Sequence, residues 1–572
     1  MIVNDWFKIV AKVTDLEGAP AIFAKNRSQM KRIFALFVCS FFVMNVFGQA
    51  GTTPAKPKLV VGMVVDQMRW DYLYRYKDRY QANGGFKRLL TQGFSNENTL
   101  IPYTPTITAC GHTCIYTGSV PAVHGITGNA WFDRTRNKSV YCTEDPSVKT
   151  VGSTTAAGEM SPANLYTTTI TDELKLASNF RSKVIGIAVK DRGAILPAGH
   201  AADAAYWYDN KTGNWITSTF YRSELPDWLQ QYNAAKHVDQ YYALGWNTLY
   251  PIATYTMSTR DENAFEGKPF GSDAKGFPYS LKNFTGKNFG AISSTPYGNT
   301  MTLEVAKAAV KAEGMGKGAF TDFLAVSLSS TDYVGHAFGP NSIEAEDTYL
   351  RLDKDLGEFF NFLDQTIGKG QWLFFISADH GVAHVPGFMT EHKIPAGLFD
   401  DGAAMKALNA SLEQSFGAPN LVNSMYNYQV HLNLPVVDSL KLDRDKLANA
   451  AAAFMKKQPG VARAFVLENL AETTLPSKIK EMVANGYMPN RSGDVQFLLE
   501  PQYLDGGPTG TTHGLWNPYD AHIPLVWMGW KIKPGKSNVE VYMTDIAPTV
   551  AALLQIQMPN GCIGKPIEAI TR

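Results

Sequence analysis

The sequence predicts an α/β fold with a central, mostly parallel sheet and helices on both faces. Four apolar runs are short and continuous, as expected of strands buried on both sides. Segments of helical length separate them, which is the order of parallel strands joined by helical crossovers. A charged residue stands at or just beyond the end of every run, the edge where functional groups collect in such sheets. The runs are residues 59–65, 183–189, 323–328 and 372–378.

Apolar residues at helical spacing predict the intervening helices. We expect them at residues 85–92, 162–177, 301–312 and 342–367. The main fold resumes with a strand at 522–528 and ends on a helix at 543–554.

Two segments interrupt this alternation of strands and helices and are interpreted as insertions. Residues 202–298 are rich in Trp, Tyr, Asn and Gly and contain a hairpin around 211–213. Residues 383–510 combine short strands with an alanine-rich helix at 444–457, which predicts a small α+β lobe that caps the sheet. The sequence therefore predicts one main domain with an inserted cap lobe.

Composition restricts the class of protein. The chain has 572 residues, 45% of them hydrophobic, and a formal net charge of +1. This length suffices for a full core and a second lobe. The near-neutral charge argues against a nucleic-acid groove or a polybasic membrane patch.

The N-terminal region contains a predicted signal peptide at residues 30–50. A charged start at Met30 is followed by an apolar stretch and then by small residues. Residues 1–29 are interpreted as a start-site extension, and the mature chain is expected to begin near Gln49 or Ala50. The protein would then be periplasmic or secreted, with no stable membrane span after cleavage. The competing interpretation is an uncleaved membrane anchor.

Five cysteines are present, and Cys39 would leave with the signal peptide. The remaining four are enough for two disulfides in an oxidising compartment, although the sequence does not fix their pairing. They are Cys110, Cys114, Cys142 and Cys562.

Residues 103–129 place hydroxyl side chains and a proline ahead of a short helix predicted at 109–116. Thr108 falls at the expected N-cap, beside free backbone N–H groups and the positive end of the helix dipole. That environment suits an oxygen that must become an alkoxide next to a phosphate. A lone threonine in this position is usually only a cap, so its interpretation as a nucleophile depends on residues elsewhere.

Carboxylates and imidazoles at the strand ends support the interpretation of Thr108 as a nucleophile. Nitrogen and oxygen ligands of this kind suit zinc, and six of them are enough for two ions that share one substrate. Two ions about 4 Å apart can hold both the attacking and the leaving oxygen of an in-line displacement. The alternative is a set of structural ion pairs and caps. The six candidates are Asp66, Asp332, His336, Asp379, His380 and His513.

Eight short motifs follow one another in order over residues 57–570. They are Val65-Asp-Gln-Met-Arg69, residues 104–118, Gly128-Asn129, Lys190-Asp-Arg-Gly193, Ser330-Thr-Asp-Tyr-Val-Gly-His336, Ala378-Asp-His-Gly381, Thr512-His-Gly514 and Asp545-Ile-Ala-Pro-Thr549. Taken together, these motifs resemble the alkaline phosphatase superfamily, and more narrowly its PafA-type, phosphate-irrepressible members. The Cys-x-Pro-x-Arg pattern of sulfatases is absent from the nucleophile helix, which argues against a sulfatase-type nucleophile.

The resemblance implies a role for each candidate residue. Thr108 would be the nucleophile, between two zinc ions. Asn129, Lys190 and Arg192 would contact the phosphoryl oxygens. The two sets of zinc ligands would be Asp66, Asp379 and His380 for one ion, and Asp332, His336 and His513 for the other.

The function expected from this site is that of a secreted or periplasmic alkaline phosphatase. It would hydrolyse a broad range of small phosphate monoesters through a phosphothreonine intermediate, as a monomer, with two zinc ions per chain and no nucleic-acid partner. Two alternatives stay open. One is a nucleotide pyrophosphatase or phosphodiesterase of the same superfamily, and the other is a non-catalytic secreted protein that keeps zinc for structure.

A preference for monoesters over diesters is expected from Lys190 and Arg192. A phosphate monoester arrives as a dianion, and these two side chains add about two positive charges on one loop. A diester carries a single charge, and its second ester substituent occupies the position of one phosphoryl oxygen that Lys190 and Arg192 would bind. The alternative for such a pair is a solvated loop with a salt bridge to Asp191.

Overall fold

A ten-stranded sheet forms the centre of the protein in the computed structural model, which describes residues 56–572. The strands are β1 (Leu59–Val65), β2 (Phe94–Asn96), β3 (Thr150–Val151), β4 (Val184–Ala188), β5 (Ala204–Asp209), β6 (Asn214–Ser218), β7 (Asp322–Leu328), β8 (Trp372–Ser377), β9 (Leu525–Gly529) and β10 (Gly535–Ser537). Their order in the sheet is β10-β2-β9-β8-β1-β7-β4-β5-β6-β3.

The middle of the sheet is parallel. Strand β1 pairs in parallel with β7 on one side and β8 on the other, and the parallel order continues through β4 to β5. The flanking strands β9 and β6 run antiparallel to their inner neighbours. All seven residues of β1 are buried, as the continuous apolar pattern predicts. The predicted fold class is confirmed, with the parallel part at its centre.

Helices occupy the connections between strands, and three of them carry candidate site residues. These are α1 (Thr108–Thr117), α2 (Asp191–Ala198) and α3 (Ser330–Phe338). The long helix α4 (Ile343–Leu363) follows α3 along the chain. Other helices of the main fold are Gly85–Gln92, Ile170–Ala177, Asp227–Ala234, His237–Leu244, Tyr297–Ala312 and Ile546–Leu554.

Local capping explains where two helices differ from their predicted bounds. The helix expected at 162–177 begins only at Ile170, because Thr169 and Asp172 form a reciprocal capping box at its start. The helix expected at 342–367 has Ser342 as its N-cap, and its regular part ends at Leu363, where a short π-helical turn follows.

A second, smaller sheet lies within residues 383–510. It has four strands in the order Val422–Tyr426, Gln429–Leu432, Val495–Leu499 and Val461–Val466. The helices Asp401–Phe416 and Arg444–Met455 contribute to a separate apolar cluster with these strands. We call this part the cap lobe. It is the α+β lobe of the predicted fold class.

The hairpin expected within residues 202–298 is present, but it belongs to the central sheet. Its first strand, β5, pairs with β4, and its second, β6, returns antiparallel to β5. The proposed start-site extension and signal peptide, residues 1–29 and 30–50, lie outside the described residues. Among residues 56–572, no helix is long and apolar enough to cross a membrane.

Candidate active site

Four neighbouring strands bring the predicted site residues to one edge of the sheet. Strands β8, β1, β7 and β4 are adjacent and parallel, so their carboxyl ends lie side by side. Asp66 follows β1 directly, and Asp379 lies two residues beyond β8. Lys190 lies two residues beyond β4, and Asp332 lies in the first turn of α3 after β7. Sheet topology therefore makes one cluster from residues far apart in sequence.

Two groups of possible metal ligands form there. Asp66, Asp379 and His380 place their ligand atoms within 4.8 Å of one another, and so do Asp332, His380 and His513. His380 belongs to both groups, and its ring stacks on that of His513 with centroids 3.4 Å apart. His336 joins the second group through Nε2, which lies 3.2 Å from Oδ1 of Asp332. The structure thus brings all six predicted ligands together.

The three imidazoles share one hydrogen-bonding arrangement. Nδ1 of His380 donates to the carbonyl of Gly381 at 2.9 Å, and Nδ1 of His513 donates to that of Thr106 at 2.7 Å. His336 does the same towards a carbonyl at 2.8 Å. Because a carbonyl only accepts, the proton sits on Nδ1 in each ring and the lone pair of Nε2 faces the cluster. Metal-binding histidines are usually oriented in this way.

Two carboxylate oxygens strengthen the case for cations. Oδ1 of Asp66 and Oδ2 of Asp379 are buried and have no hydrogen-bond partner among residues 56–572. An ionised carboxylate can only accept, so a buried oxygen without a donor is costly unless a cation meets it. The donor set and its unpaired oxygens fit zinc ligation.

Burial and mutual repulsion perturb the acids of the cluster. Burial, with the neighbouring Asp332 and Asp379, raises the pKa of Asp66 well above its usual range. Burial opposes ionisation of Asp332 too, but His336 and Lys190 outweigh it and hold the pKa of Asp332 well below its usual range. Such shifts are typical of functional sites, where charges are gathered away from water.

Thr108 lies at the start of α1, beside both groups. It is the first helical residue and Ile107 is the N-cap, so the predicted capping role is wrong by one position. Its hydroxyl oxygen is 3.3 Å from Nε2 of His380, and the side chain is buried. Asn129 lies nearby, where its Oδ1 accepts the N–H of Ala109 at 3.0 Å and leaves Nδ2 free to donate.

Lys190 lies inside the carboxylate cluster. Its Nζ contacts Oδ2 of Asp66 at 2.7 Å and Oδ2 of Asp332 at 2.5 Å. These carboxylates raise the pKa of Lys190 against the opposing effect of burial, so the side chain is a buried cation. The alternative of a solvated loop is therefore wrong for Lys190. Its expected contact with a phosphoryl group stays a prediction.

Arg192 faces a cavity of about 400 Å³ beside the cluster, lined also by Tyr141, Trp207 and Tyr333. Its Nη1 donates to the hydroxyl of Tyr141 at 2.9 Å, while its buried Nε finds no acceptor within the described part of the chain. That hydroxyl in turn donates to Asp191 at 2.8 Å. Asp191 thus orients the arginine through Tyr141, and part of the guanidinium remains able to bind an anion.

Sequence reasoning missed two buried residues that contact the cluster. His112 lies on α1, where Nδ1 is 2.9 Å from the Thr108 carbonyl and 3.3 Å from Oδ2 of Asp379. Gln67 donates from its side chain to Asp332 and from its backbone to Asp379. Both residues lie within motifs of the sequence analysis. The position of Gln67, a polar residue between Asp66 and the apolar Met68, was a signal that could have identified it.

The four cysteines expected to allow two disulfides are free thiols in the structure. Burial raises the pKa of Cys110, Cys114 and Cys142, which keeps these three thiols protonated. Cys562 is only partly buried.

Comparison with known proteins gives this site a family. A family model described as "Type I phosphodiesterase / nucleotide pyrophosphatase" matches residues 60–515. A protein of Synechococcus elongatus named alkaline phosphatase PhoV is 54% identical over 91% of this chain and 94% of its own length. Alkaline phosphatase PafA of Elizabethkingia meningoseptica is 51% identical over 90% and 94%. The chain belongs to the PafA-type alkaline phosphatases. The predicted family and enzyme class are confirmed.

A third relative has a different name. A protein of Myroides odoratus named calcium-transporting ATPase is 54% identical over 93% of this chain and 97% of its own length.

Solved structures agree with the PafA-type assignment. The crystal structure of wild-type PafA is 51% identical, covers 91% of this chain and 100% of its own, and superimposes with a TM-score of 0.89. A PafA variant with one threonine, one asparagine, one lysine and one arginine substituted gives 50% identity, the same coverage and a TM-score of 0.88. The fold of this PafA-type chain, including its cap lobe, is thus shared with solved alkaline phosphatases.

Proposed function

We propose that this alkaline phosphatase hydrolyses phosphate monoesters through a phosphothreonine at Thr108, on a centre of two zinc ions. The observation that carries the proposal is the position of the Thr108 hydroxyl, 3.3 Å from Nε2 of His380. Because His380 belongs to both ligand groups, an oxygen beside it is within reach of both. A nucleophile shared in this way suits an in-line displacement at phosphorus.

For the zinc ligands we keep the division that the family resemblance implies. When bound, zinc would lower the pKa of a coordinated hydroxyl and neutralise charge on the attacking and leaving oxygens. Supporting observations are the common orientation of the three imidazoles and the unpaired buried oxygens of two acids. We assign Asp66, Asp379 and His380 to one ion, and Asp332, His336 and His513 to the other.

The chain's own residues account for the chemistry in two steps. In the first, the Thr108 oxygen gives up its proton and forms a bond to phosphorus while the bond to the ester oxygen breaks, and the alcohol leaves with one proton in exchange. In the second, water loses a proton and forms the new bond to phosphorus, and the Thr108 oxygen departs and is protonated again, which releases phosphate. Both steps are displacements in which positioning and charge neutralisation lower the barrier.

Three further residues would donate hydrogen bonds to the phosphoryl oxygens. Asn129 is held by the Ala109 amide and can offer Nδ2, while Arg192 has donors left over after its contact with Tyr141. Lys190 already lies against the site carboxylates. The PafA variant described above carries substitutions of these residue types together with a threonine, which supports treating the four as one unit.

The remaining parts of the proposal concern the whole chain. We infer export through a signal peptide at residues 30–50, after a start-site extension at 1–29, and a monomer that acts on a broad range of small phosphate esters. The catalytic domain would span residues 57–570, with insertions at 202–298 and 383–510.

One assay separates this function from its alternatives. Purified mature protein is given a simple aryl phosphate monoester or the matching diester, and released aryl alcohol is measured with bound zinc. We expect preferential monoester hydrolysis with two zinc ions per chain. Faster diester hydrolysis would favour the phosphodiesterase alternative, and zinc without turnover of either ester would favour a binding protein.

A further inference from the structure

Gln67 connects the two proposed metal groups without belonging to either. Its backbone N–H donates to Oδ1 of Asp379 at 3.1 Å, and its Nε2 donates to Oδ1 of Asp332 at 2.7 Å. The residue is only 2% exposed. A single residue therefore contacts one carboxylate of each group.

The backbone at Gln67 adopts a conformation that is unusual for its residue type. Its φ is 66°, in the left-handed region that glycine and asparagine occupy most readily. Such conformations persist where the surroundings enforce them, and they concentrate at functional sites. Here the conformation turns the N–H towards Asp379 directly after Asp66 has left the strand.

Helix α3 leaves room for the side chain through Gly335. A Cβ atom built at Gly335 would lie 1.8 Å from Oε1 of Gln67 and 2.9 Å from its Cδ. The glycine thus lets the amide pass over the helix to reach Asp332, one turn earlier on the same helix. A side chain at position 335 would therefore conflict with the Gln67 amide where it now lies.

We propose that Gln67 is a positioning residue that sets the affinity of the Asp332 group for its metal. A carboxylate can rotate about its Cβ–Cγ bond, and a donor fixed on Oδ1 decides which lone pairs face the imidazoles. Oδ1 of Asp332 is also the atom 3.2 Å from Nε2 of His336. The inference rests on the proposed two-metal centre and adds a residue that touches no substrate.

Gln67→Gly tests the side chain alone. Glycine tolerates the positive φ and keeps the N–H that contacts Asp379, so the substitution removes only the amide that contacts Asp332. Zinc is titrated into the metal-free variant and the metal-free parent protein against a competing chelator. We expect one of the two binding steps to weaken by about 10–100-fold and the other to keep its affinity. With excess zinc, KM for an aryl monoester should stay unchanged.

Gly335→Ala offers an independent route to the same effect. Alanine is normally favoured over glycine within a helix, so the variant should fold, but its methyl group must displace the Gln67 amide. The same zinc-binding step should weaken. In the double variant Gln67→Gly, Gly335→Ala the methyl group has nothing to displace, so the loss should equal that of Gln67→Gly alone.

The outcomes separate this inference from the proposed function. If wild-type protein binds fewer than two zinc ions, the two-metal centre itself is wrong. If it binds two and Gln67→Gly keeps both affinities, only the role of Gln67 is wrong. Equal weakening of both steps, or additive losses in the double variant, would show a general structural effect and also contradict the inference.

Discussion

The carboxyl edge of the central sheet and the cap lobe bury very different groups. At the sheet edge, buried carboxylates, imidazoles and a lysine converge within a few ångströms. In the cap lobe, four strands and two helices enclose an apolar cluster. The difference teaches that the chemistry is concentrated at the sheet edge, while the cap lobe contributes stability and placement.

The cap lobe acts on the site through the backbone that carries Thr108 and Asn129. Asn485 donates to the carbonyl of Pro102 at 2.7 Å, ahead of Thr108. Asn427 donates to the carbonyl of Ala130 at 3.1 Å, directly after Asn129. Both ends of the segment with the nucleophile and the candidate amide are therefore held from the cap.

The largest expected effect is at the nucleophile. Thr108→Ala removes the oxygen that attacks phosphorus, so we expect kcat for an aryl monoester to fall by at least about 10³-fold. Thr117→Ala is the matched control, because this buried threonine lies on the same helix and bonds to backbone groups, donating to the carbonyl of Thr113 and accepting the N–H of Ser119. Near-native turnover by Thr108→Ala would show that Thr108 is not the nucleophile.

The second effect tests how the sheet edge selects its substrate. Replacing Lys190 and Arg192 by Ala should lower monoester turnover by several powers of ten, since each charge-assisted contact in a desolvated site is worth about 2–4 kcal/mol. Diester turnover should change little. The measurement is kcat/KM for both esters at saturating zinc, with Lys211→Ala, an exposed lysine on the same cavity, as the control.

Equal loss of monoester and diester turnover would mean that the pair serves folding or metal placement. The single variants sharpen the result. Lys190 contacts two proposed zinc ligands, so Lys190→Ala should also alter zinc binding, whereas Arg192→Ala should leave it unchanged.

A smaller effect is expected where the cap lobe meets the main fold. Arg491 is 4% exposed, donates to the carbonyls of Gly125 and Asn164, and lies over the rings of Trp131 and Tyr166. Arg491→Ala should lower the free energy of unfolding by about 2–4 kcal/mol.

Urea denaturation measures that change, and the exposed Arg463→Ala in the cap lobe is the control. We expect Arg491→Ala to retain most of its activity per folded molecule. An activity loss comparable to that of Thr108→Ala would show that the cap lobe takes part in catalysis, and would contradict the contrast drawn between the cap lobe and the sheet edge.

The smallest effect concerns the pH dependence of stability, which depends on His124, a buried histidine near Arg491. Burial, together with Arg491, lowers the pKa of His124 to about 3. Because an unfolded histidine titrates near 6.5, the unfolded state binds more protons between those values, so stability falls as pH drops below about 6.5. Between pH 7 and pH 5 this contribution is about 2 kcal/mol.

Replacing His124 with Gln should remove this part of the pH dependence of unfolding. The exposed His392→Gln is the control and should keep it. Unfolding free energies from urea denaturation at pH 7 and pH 5 check the prediction. An unchanged pH dependence in His124→Gln would show that the histidine ionises alike in both states.

Local sequence signals explain why the sheet edge could be predicted. A buried parallel strand is a continuous apolar run, and the charged residue at its end is adjacent in sequence, so Asp66 and Asp379 were identified together with their strands. Helix α1 began within one residue of its predicted position. The fold class followed from the order of strands and helices.

Contacts between distant segments explain what could not be predicted. Gln67 meets Asp332 and Asp379 across separations of 265 and 312 residues, so its role appears only once β1, β7 and β8 are adjacent. The contact of Lys190 with two carboxylates likewise requires β4 to lie beside β7. The hairpin at residues 211–213 was recognised, but its pairing with β4 depends on sheet order.

The stereochemistry at phosphorus tests the central claim most directly. The wild-type enzyme hydrolyses an isotopically chiral thiophosphate monoester in labelled water, and the configuration of the released thiophosphate is determined. Each in-line displacement inverts phosphorus, so attack by Thr108 followed by attack by water predicts net retention. Net inversion would show that water attacks the substrate directly, and would contradict a phosphothreonine intermediate.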